Sequence, residues 1–306
     1  MKTLGIDAHN LRSGGGLIYI QEFLYHLENY SGKFERIIIW TNKHAASDLN
    51  YVSSVLELRV PILLRSDSVI FHFIWVIWFN LFVKKKTDVV LTLSGMNLCR
   101  GNGKEITMFH SILPFSHDVI KLYRGRLDYF RYLMLRKLYK RSINNSDGIL
   151  FSSKFAADIA LKEHTEKRNM VSVVPFGIWT NFLKFRKEKN KTPDHIRFLY
   201  VSNFYLYKRQ LFLISVFEEL ISAGYDVSLT LCGDTYGHEI VLKQLTSSII
   251  RTDRIKYIGK IPHKFIPEIY NNHDVLIFPS LIESFGIPFI EAQYFRLWIL
   301  FSFQPA

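Results

Sequence analysis

Phe278-Pro279-Ser280-Leu281-Ile282-Glu283-Ser284-Phe285-Gly286-Ile287-Pro288-Phe289-Ile290-Glu291-Ala292 carries two glutamates eight positions apart, with a Ser-Phe-Gly-Ile-Pro bend between them. The run Asp274 to Phe278 predicts a buried strand, and Pro288 suits the first position of a helix. On that register Glu291 falls in the first helical turn and Glu283 in the loop ahead of it. Gly286 lets backbone approach a ligand closely, and N–H groups at a helix start suit a phosphate. Carboxylates for hydroxyls at either end, with amides for negative charge between them, match the chemistry of a sugar phosphate. A plainer alternative stays open on these residues alone. The helix dipole favours an early glutamate in any case, and strand–Gly–Pro–helix is a common α/β connection.

Outward from this stretch, strand and helix patterns alternate, which predicts parallel sheets flanked by helices. The first strand, Thr3 to Asp7, leads into Arg12-Ser13-Gly14-Gly15-Gly16 and a helix from about Leu17 to Leu27. A glycine-rich turn after a first strand is a place for a phosphate or sugar to meet the backbone, or simply a flexible turn. It fails the dinucleotide fingerprint because Tyr19 holds the third glycine position, and the chain has no Walker-type loop. Further strands are expected at Arg36 to Trp40, Glu57 to Val60, Val89 to Leu93, Glu105 to Phe109, Asp147 to Phe151, Ile196 to Val201, Val227 to Cys232 and Arg254 to Tyr257. His110 follows the fifth of the chain's strands directly and is read as either structural or ligand-facing. Lys208, with Arg209 beside it, stands at the start of a helix, where a cation opposes the dipole unless an anion is present.

The formal net charge is +12, which favours polyanionic partners: phosphorylated substrates, anionic lipid or nucleic acid. Much of it lies in Lys121 to Arg141, with eight basic residues against Asp128 and an apolar stripe of Leu127, Phe130, Met134 and Leu138. Such a helix is either an ordinary charged surface or a contact with anionic membrane or a pyrophosphate-linked lipid. No nucleic-acid motif accompanies it. Val69 to Val83 is the most apolar window, interrupted by His72 and Asn80 and followed by Lys84-Lys85-Lys86. It is too short for a bilayer span and reads as a buried or partly interfacial helix. Two cysteines, Cys99 and Cys232, without metal-ligand spacing, point to a reducing cytoplasm, as does an N-terminus without signal-peptide layout.

The double-glutamate stretch resembles the E-x7-E signature of retaining glycosyltransferases of family 4, whose segment reads P-S-x-x-E-G-F-G-x-P-x-x-E-A; Ser284 departs from it. Val171-Ser172-Val173-Val174-Pro175-Phe176-Gly177-Ile178 resembles the family's V-x-P-x-G-V segment. Lys208 matches the lysine of its G-R-x-x-x-x-K, although Ser202 and Asn203 replace Gly and Arg. His110 matches the histidine of its His-Asp pair, with Ser111 for Asp. The order of these matches along nearly the whole chain is what carries the resemblance.

It implies the α/β GT-B fold: two Rossmann-like domains facing a cleft, with residues 1–180 on the acceptor side, a linker at 181–194, and 195–306 binding the nucleotide sugar. It implies transfer of a sugar, with retention, from a nucleotide-sugar donor to a saccharide or lipid-linked acceptor, as in surface polysaccharide assembly. No metal or other cofactor is expected, and the chain has no D-x-D pair. By resemblance, His110 and Glu283 are the catalytic candidates. Gly15, Gly16, Lys208, Arg209, Ser284, Phe285, Gly286 and Glu291 are the donor-binding ones, with Glu291 on ribose hydroxyls and Lys208 on the diphosphate. Against the family the chain stops short after Glu291, and Arg296 and Trp298 replace a usual Gly and Pro. A truncated second domain is therefore expected. The rival expectation is an inactive fragment, or a non-catalytic protein of the same fold at the cytoplasmic face of a membrane.

Overall fold

The computed structural model describes residues 2–11, 15–27, 34–49, 55–185, 194–235, 243, 246–247 and 252–302. The chain divides into two compact units, Met1–Ile120 with Arg124–Phe176, and Lys121–Tyr123 with Gly177–Ala306. Each is built on one wholly parallel sheet.

The first unit contains β1 (Thr3–Asp7), β2 (Arg36–Trp40), β3 (Leu56–Arg59), β4 (Val89–Thr92), β5 (Lys104–Phe109), β6 (Gly148–Phe151) and β7 (Val171–Val173), in the order β3-β2-β1-β4-β5-β6-β7. The second contains β8 (Ile196–Val201), β9 (Val227–Cys232), β10 (Ile255–Tyr257), β11 (Val275–Phe278) and β12 (Trp298–Phe301), in the order β10-β9-β8-β11-β12. Both orders run outward one way from the first strand and then reverse. They are doubly wound sheets with a switch point, at β1/β4 in one unit and β8/β11 in the other.

Burial explains the strand sequences. Leu4 and Ile6, Ile37 and Ile39, Leu91 and Met108 meet the helix α1 (Gly15–Leu27) through Leu17, Ile20 and Leu24. In the second unit Leu199, Leu229, Leu231, Ile255 and Leu276 pack against Leu213, Ile214 and Phe217 of a later helix (Gln210–Ser222). The expected linker begins as a short 3-10 turn, Thr180–Lys184, whose Phe182 is fully buried in this second core. Residues 186–193 of it lie outside the described residues.

Two local expectations need correcting, while the helix expected over the apolar window is present. α1 begins at Gly15, so Gly15 and Gly16 are its first two residues and not loop; Arg12, Ser13 and Gly14 lie outside the described residues. Besides the short α2 (Lys43–Asp48), the apolar window forms α3 (Val69–Trp78), which continues through a π turn, Phe79–Val83, into a 3-10 turn, Lys84–Lys86. Finally, the basic stretch 121–141 is not one helix. α4 (His117–Lys121) ends before Gly125, which adopts φ +79°, and α5 runs from Leu127 to Asn145. The expected apolar stripe of α5 faces outward, leaving Leu127, Phe130 and Met134 exposed. The helix packs instead through Ile143 with Tyr132, Tyr139 and Ser142, polar-tipped side chains that a simple apolar count passes over. The rest of the first unit's helices close with α6 (Lys154–Ala160), capped by the Ser153 hydroxyl, which accepts from the Ala156 N–H at 3.0 Å.

Candidate functional site

In a doubly wound sheet the strand ends at the switch point splay apart, and the loops leaving them form the natural ligand crevice. In the second unit those loops are 202–209, leaving β8, and 279–286, leaving β11. They are joined by a backbone bond from Leu281 N–H to the Tyr207 carbonyl, 2.8 Å. Lys208 and Glu283 meet across them as an ion pair, both largely buried. The Lys208 ammonium also lies over the rings of Phe278 (5.0 Å) and Tyr207 (5.3 Å). Its carbonyl accepts from the Tyr200 hydroxyl at 3.2 Å.

Lys208 therefore does not stand alone before a helix dipole: Glu283 is its counter-ion. Three ammonium protons leave capacity for a second anion without releasing the first. Arg209, at φ 58°, caps the following helix α7 (Gln210–Ser222) and stacks on Phe212 at 4.1 Å. Asn203, at the position where the resemblance calls for arginine, braces the turn: its side-chain oxygen accepts from the Asp234 N–H at 3.0 Å. A Cβ on the adjacent Gly233 would collide with the Ser202 carbonyl, so these strand exits are packed backbone to backbone.

The helix after β11 begins one residue earlier than Pro288 suggests. With α8 at Ile266–Asn271, this helix is α9, Ile287–Tyr294, capped by Gly286 at φ 81°. Gly286 is required twice over, by that φ and because a Cβ would lie 2.5 Å from the Phe289 ring. Glu291 is consequently the fifth helical residue and not part of the first turn, so the helix dipole is not what places it there. It is 4% exposed, and both carboxylate oxygens are engaged. The Tyr270 hydroxyl donates to Oε2 at 2.8 Å, and His263 Nε2 lies 3.3 Å from Oε1. Burial and the nearby Glu291 charge push the Tyr270 phenol well above its ordinary range. His263 sits against Trp179 (4.6 Å) and Phe182 (4.7 Å), and its Nδ1 is buried without a partner among the described residues. Ser284 and Phe285 lie half-buried in the loop between the two glutamates.

At the first unit's switch point the chemistry differs. Asp7, ending β1, accepts from the Ser94 hydroxyl at 2.9 Å and pairs with His9 Nδ1 at 2.8 Å, all three being buried. Asn42 ties this turn down by donating to the carbonyls of His9 and Leu11, each at 3.0 Å. Two strands away His110 leaves β5, parallel to Phe176 (5.9 Å) and edge-on to Tyr19 of α1 (5.2 Å). The residue is half-buried, but its Nε2 is sealed from solvent and has no partner among the described residues. Desolvation lowers its pKa to about 4, so at neutral pH the ring is uncharged.

Residues 181–304 match the model of the family described as Glycosyl transferases group 1. That match covers 124 of the chain's 306 residues. It contains Lys208, Arg209, Glu283, Ser284, Phe285, Gly286 and Glu291, while Gly15, Gly16 and His110 lie outside it. Among curated proteins the chain is 23% identical to the O-antigen chain mannosyltransferase RfbU of Salmonella typhimurium, over 67% of this chain and 58% of that protein. It is 25% identical to the capsular polysaccharide biosynthesis glycosyltransferase CapM of Staphylococcus aureus, over 54% and 45%. It is 21% identical to the phosphatidylinositol N-acetylglucosaminyltransferase gpi3 subunit of Schizosaccharomyces pombe, over 55% and 36%. The chain thus spans between about a third and three fifths of these relatives. Both units resemble GT-B structures. Sucrose-phosphate synthase from Thermosynechococcus elongatus matches with a TM-score of 0.71 at 18% identity, over 98% of this chain and 81% of that one. HepE of Anabaena, solved with UDP and glucose, matches at 0.66 and 14%, over 98% and 80%.

The matched segment thus brings seven residues singled out from sequence to one switch point: Lys208, Arg209, Glu283, Ser284, Phe285 and Gly286 on the two loops and Glu291 on the helix after them. Sequence reading missed His263 and Tyr270, which hold Glu291, and the Asp7–His9–Ser94 cluster. His263 has a local signal, since it follows the β10 exit Gly259 to Pro262 and opens a 3-10 turn. Ser94 has none, being 87 positions from Asp7. No cluster of three or more metal-ligating side chains occurs among the described residues.

Proposed function

We propose that this chain transfers a hexosyl unit from a nucleotide-sugar donor to a saccharide or lipid-linked acceptor, with retention of anomeric configuration, in surface polysaccharide assembly. The observation that supports it most is the Lys208–Glu283 pair, set across the β8/β11 switch point beside the Gly286-capped helix that carries Glu291. In this reading Lys208, helped by Arg209 and the 284–286 backbone, offsets the growing charge of the diphosphate leaving group. Glu283 orders the donor sugar hydroxyls through the same ion pair, and Glu291 takes ribose hydroxyls. Gly15 and Gly16, at the start of α1, are further candidates for donor binding, and His110 is the candidate neutral hydrogen-bonding group toward a sugar. No metal is assigned a role. Peripheral contact with the inner face of a membrane is part of the same proposal, because a lipid-linked acceptor resides there.

The test is a thermal-shift series with UDP, GDP and ADP and their sugar conjugates, starting with UDP because HepE was solved with it. A ligand at a hundred times its Kd raises stability by about 2.7 kcal/mol, a shift easily read. A rise with one base, lost in Lys208→Ala, supports the reading. A cooperative melt unmoved by all three nucleotides overturns it.

A further inference from the structure

The segment α3 with its π turn is amphipathic in the wrong sense for a protein in water. Its inner stripe, His72, Trp75, Val76, Phe79 and Asn80, carries every polar side chain between Val69 and Val83. Both polar groups are satisfied there: His72 Nε2 lies 3.0 Å from the Ser66 carbonyl, and Asn80 donates to the Val76 and Met96 carbonyls at 2.9 and 3.1 Å. The outer face is apolar throughout. Val69, Ile70, Phe71, Phe73, Ile74, Ile77, Trp78, Leu81 and Phe82 are each between 40% and 80% exposed. Together they expose on the order of 1,000 Å², against the roughly 300–600 Å² of a typical monomer's largest apolar patch.

Charge says what this face meets. Arg65 is exposed at its leading end, where Asp67 is already paired with Lys43 and His44 at 2.7 Å each, and Lys85 and Lys86 are exposed at its trailing end. Beside it opens a cavity of about 710 Å³ whose walls combine Trp75, Trp78 and Phe82 with Arg36, Arg59 and Lys86. The two guanidiniums share one carboxylate, Glu57, at 2.6 Å each, which leaves this wall with surplus positive charge. Trp75 is 4% exposed, and its indole N–H has no acceptor among the described residues. No helix of the described residues is long and apolar enough to cross a membrane. An apolar face of aromatic and branched side chains, rimmed by cations and too short to span, matches a helix lying in the headgroup boundary of an anionic leaflet.

We propose that the outer face of Val69–Phe82 docks the first unit onto an anionic phospholipid bilayer, with the adjoining Arg36–Arg59–Lys86 cavity receiving a lipid phosphate. This places the contact on α3 and not on the basic helix α5. It does not depend on the donor-site reading, since lipid binding is measured without nucleotide or turnover.

The experiment is sedimentation of the full chain with vesicles of phosphatidylcholine alone and of phosphatidylcholine with phosphatidylglycerol, across a salt series. The chain should partition onto the anionic vesicles, less so as salt rises. Trp78→Glu/Phe82→Glu should reduce partitioning at least tenfold while leaving the melting temperature in place, because both side chains already face solvent. Lys85→Glu/Lys86→Glu should weaken it by roughly fivefold per lysine and flatten the salt dependence. Leu127→Glu/Phe130→Glu, on α5, should leave it within twofold. The proposal fails if the chain ignores anionic vesicles, if the α3 variant binds like the parent, or if the α5 variant is the one that loses binding. It also fails if Trp78→Glu/Phe82→Glu dissociates a lipid-free dimer seen by analytical ultracentrifugation, which would make the face a contact between copies.

Discussion

The two units share a sheet order and a switch point, yet they place opposite chemistry there. At β8/β11 the loops hold charge: a lysine against a glutamate, and a second glutamate gripped by a tyrosine and a histidine. At β1/β4 the carboxylate of Asp7 is buried under its own histidine and serine, and beyond β5 His110 is held uncharged between aromatic rings. The same sheet order thus carries an ion pair at one unit's switch point and a buried carboxylate with a neutral histidine at the other's. The strand order sets where a crevice forms, and the side chains at the strand exits set its chemistry.

Removing the fixed charge should break this contrast most severely. Lys208→Ala takes away the ammonium at the ion-paired switch point and should cut affinity for UDP, or whichever nucleotide binds, by about a hundredfold or more, in the range of losing a preorganised charge stabiliser. Isothermal titration would read it, and retained affinity would dissolve the distinction between the two switch points. Glu291→Ala strips the acceptor from Tyr270 and His263 together, which should cost about 2–4 kcal/mol of stability in urea unfolding. Glu291→Gln, still able to accept from Tyr270, should cost less than half of that. The neutral histidine has its own signature in acid. His110 titrates near 4 in the folded chain against about 6.5 unfolded, so the unfolded state binds the extra proton between those values. Stability should therefore fall by about 2–3 kcal/mol as pH drops from 6.5 to 4 and then level off, and His110→Gln should remove that component. A flat profile in the parent would mean the ring is not sealed from water. Smallest, Gly286→Ala should cost about 1–2 kcal/mol through its positive φ and the Phe289 contact, visible as a lowered urea midpoint.

The ion-paired switch point was legible in the sequence because its parts are local. A strand, a loop with Glu283, Gly286 and a helix with Glu291 follow one another in the seventeen residues from Val275 to Glu291, and Lys208 opens a helix after a strand in the same way. Even so, the register was off by a residue: a proline suits either of the first helical positions, and Gly286 settles which one it takes. The Lys208–Glu283 contact, across 75 positions, was not legible, nor was the Asp7–Ser94 bond across 87. Pairings between strand exits depend on sheet order, which no local periodicity encodes. The two amphipathic helices misled for a related reason. In α5 the residues facing the core are two tyrosines, a serine and a single isoleucine, and in α3 the residues facing out are the apolar ones. Hydrophobicity alone assigned the faces backwards in the first and left them undecided in the second.

The lysines at 84, 85 and 86 look interchangeable on paper, yet they have different chemical fates. Lys84 is 1% exposed, its ammonium donating to Asn97 Oδ1 at 2.6 Å and to the Cys99 carbonyl, with Glu105 Oε1 at 3.1 Å. An amine-reactive reagent will acylate its two exposed neighbours at once. It can modify Lys84 only when the strand edges around it open, so the rate of that single modification, read by mass spectrometry, is a clock for local opening of the first unit.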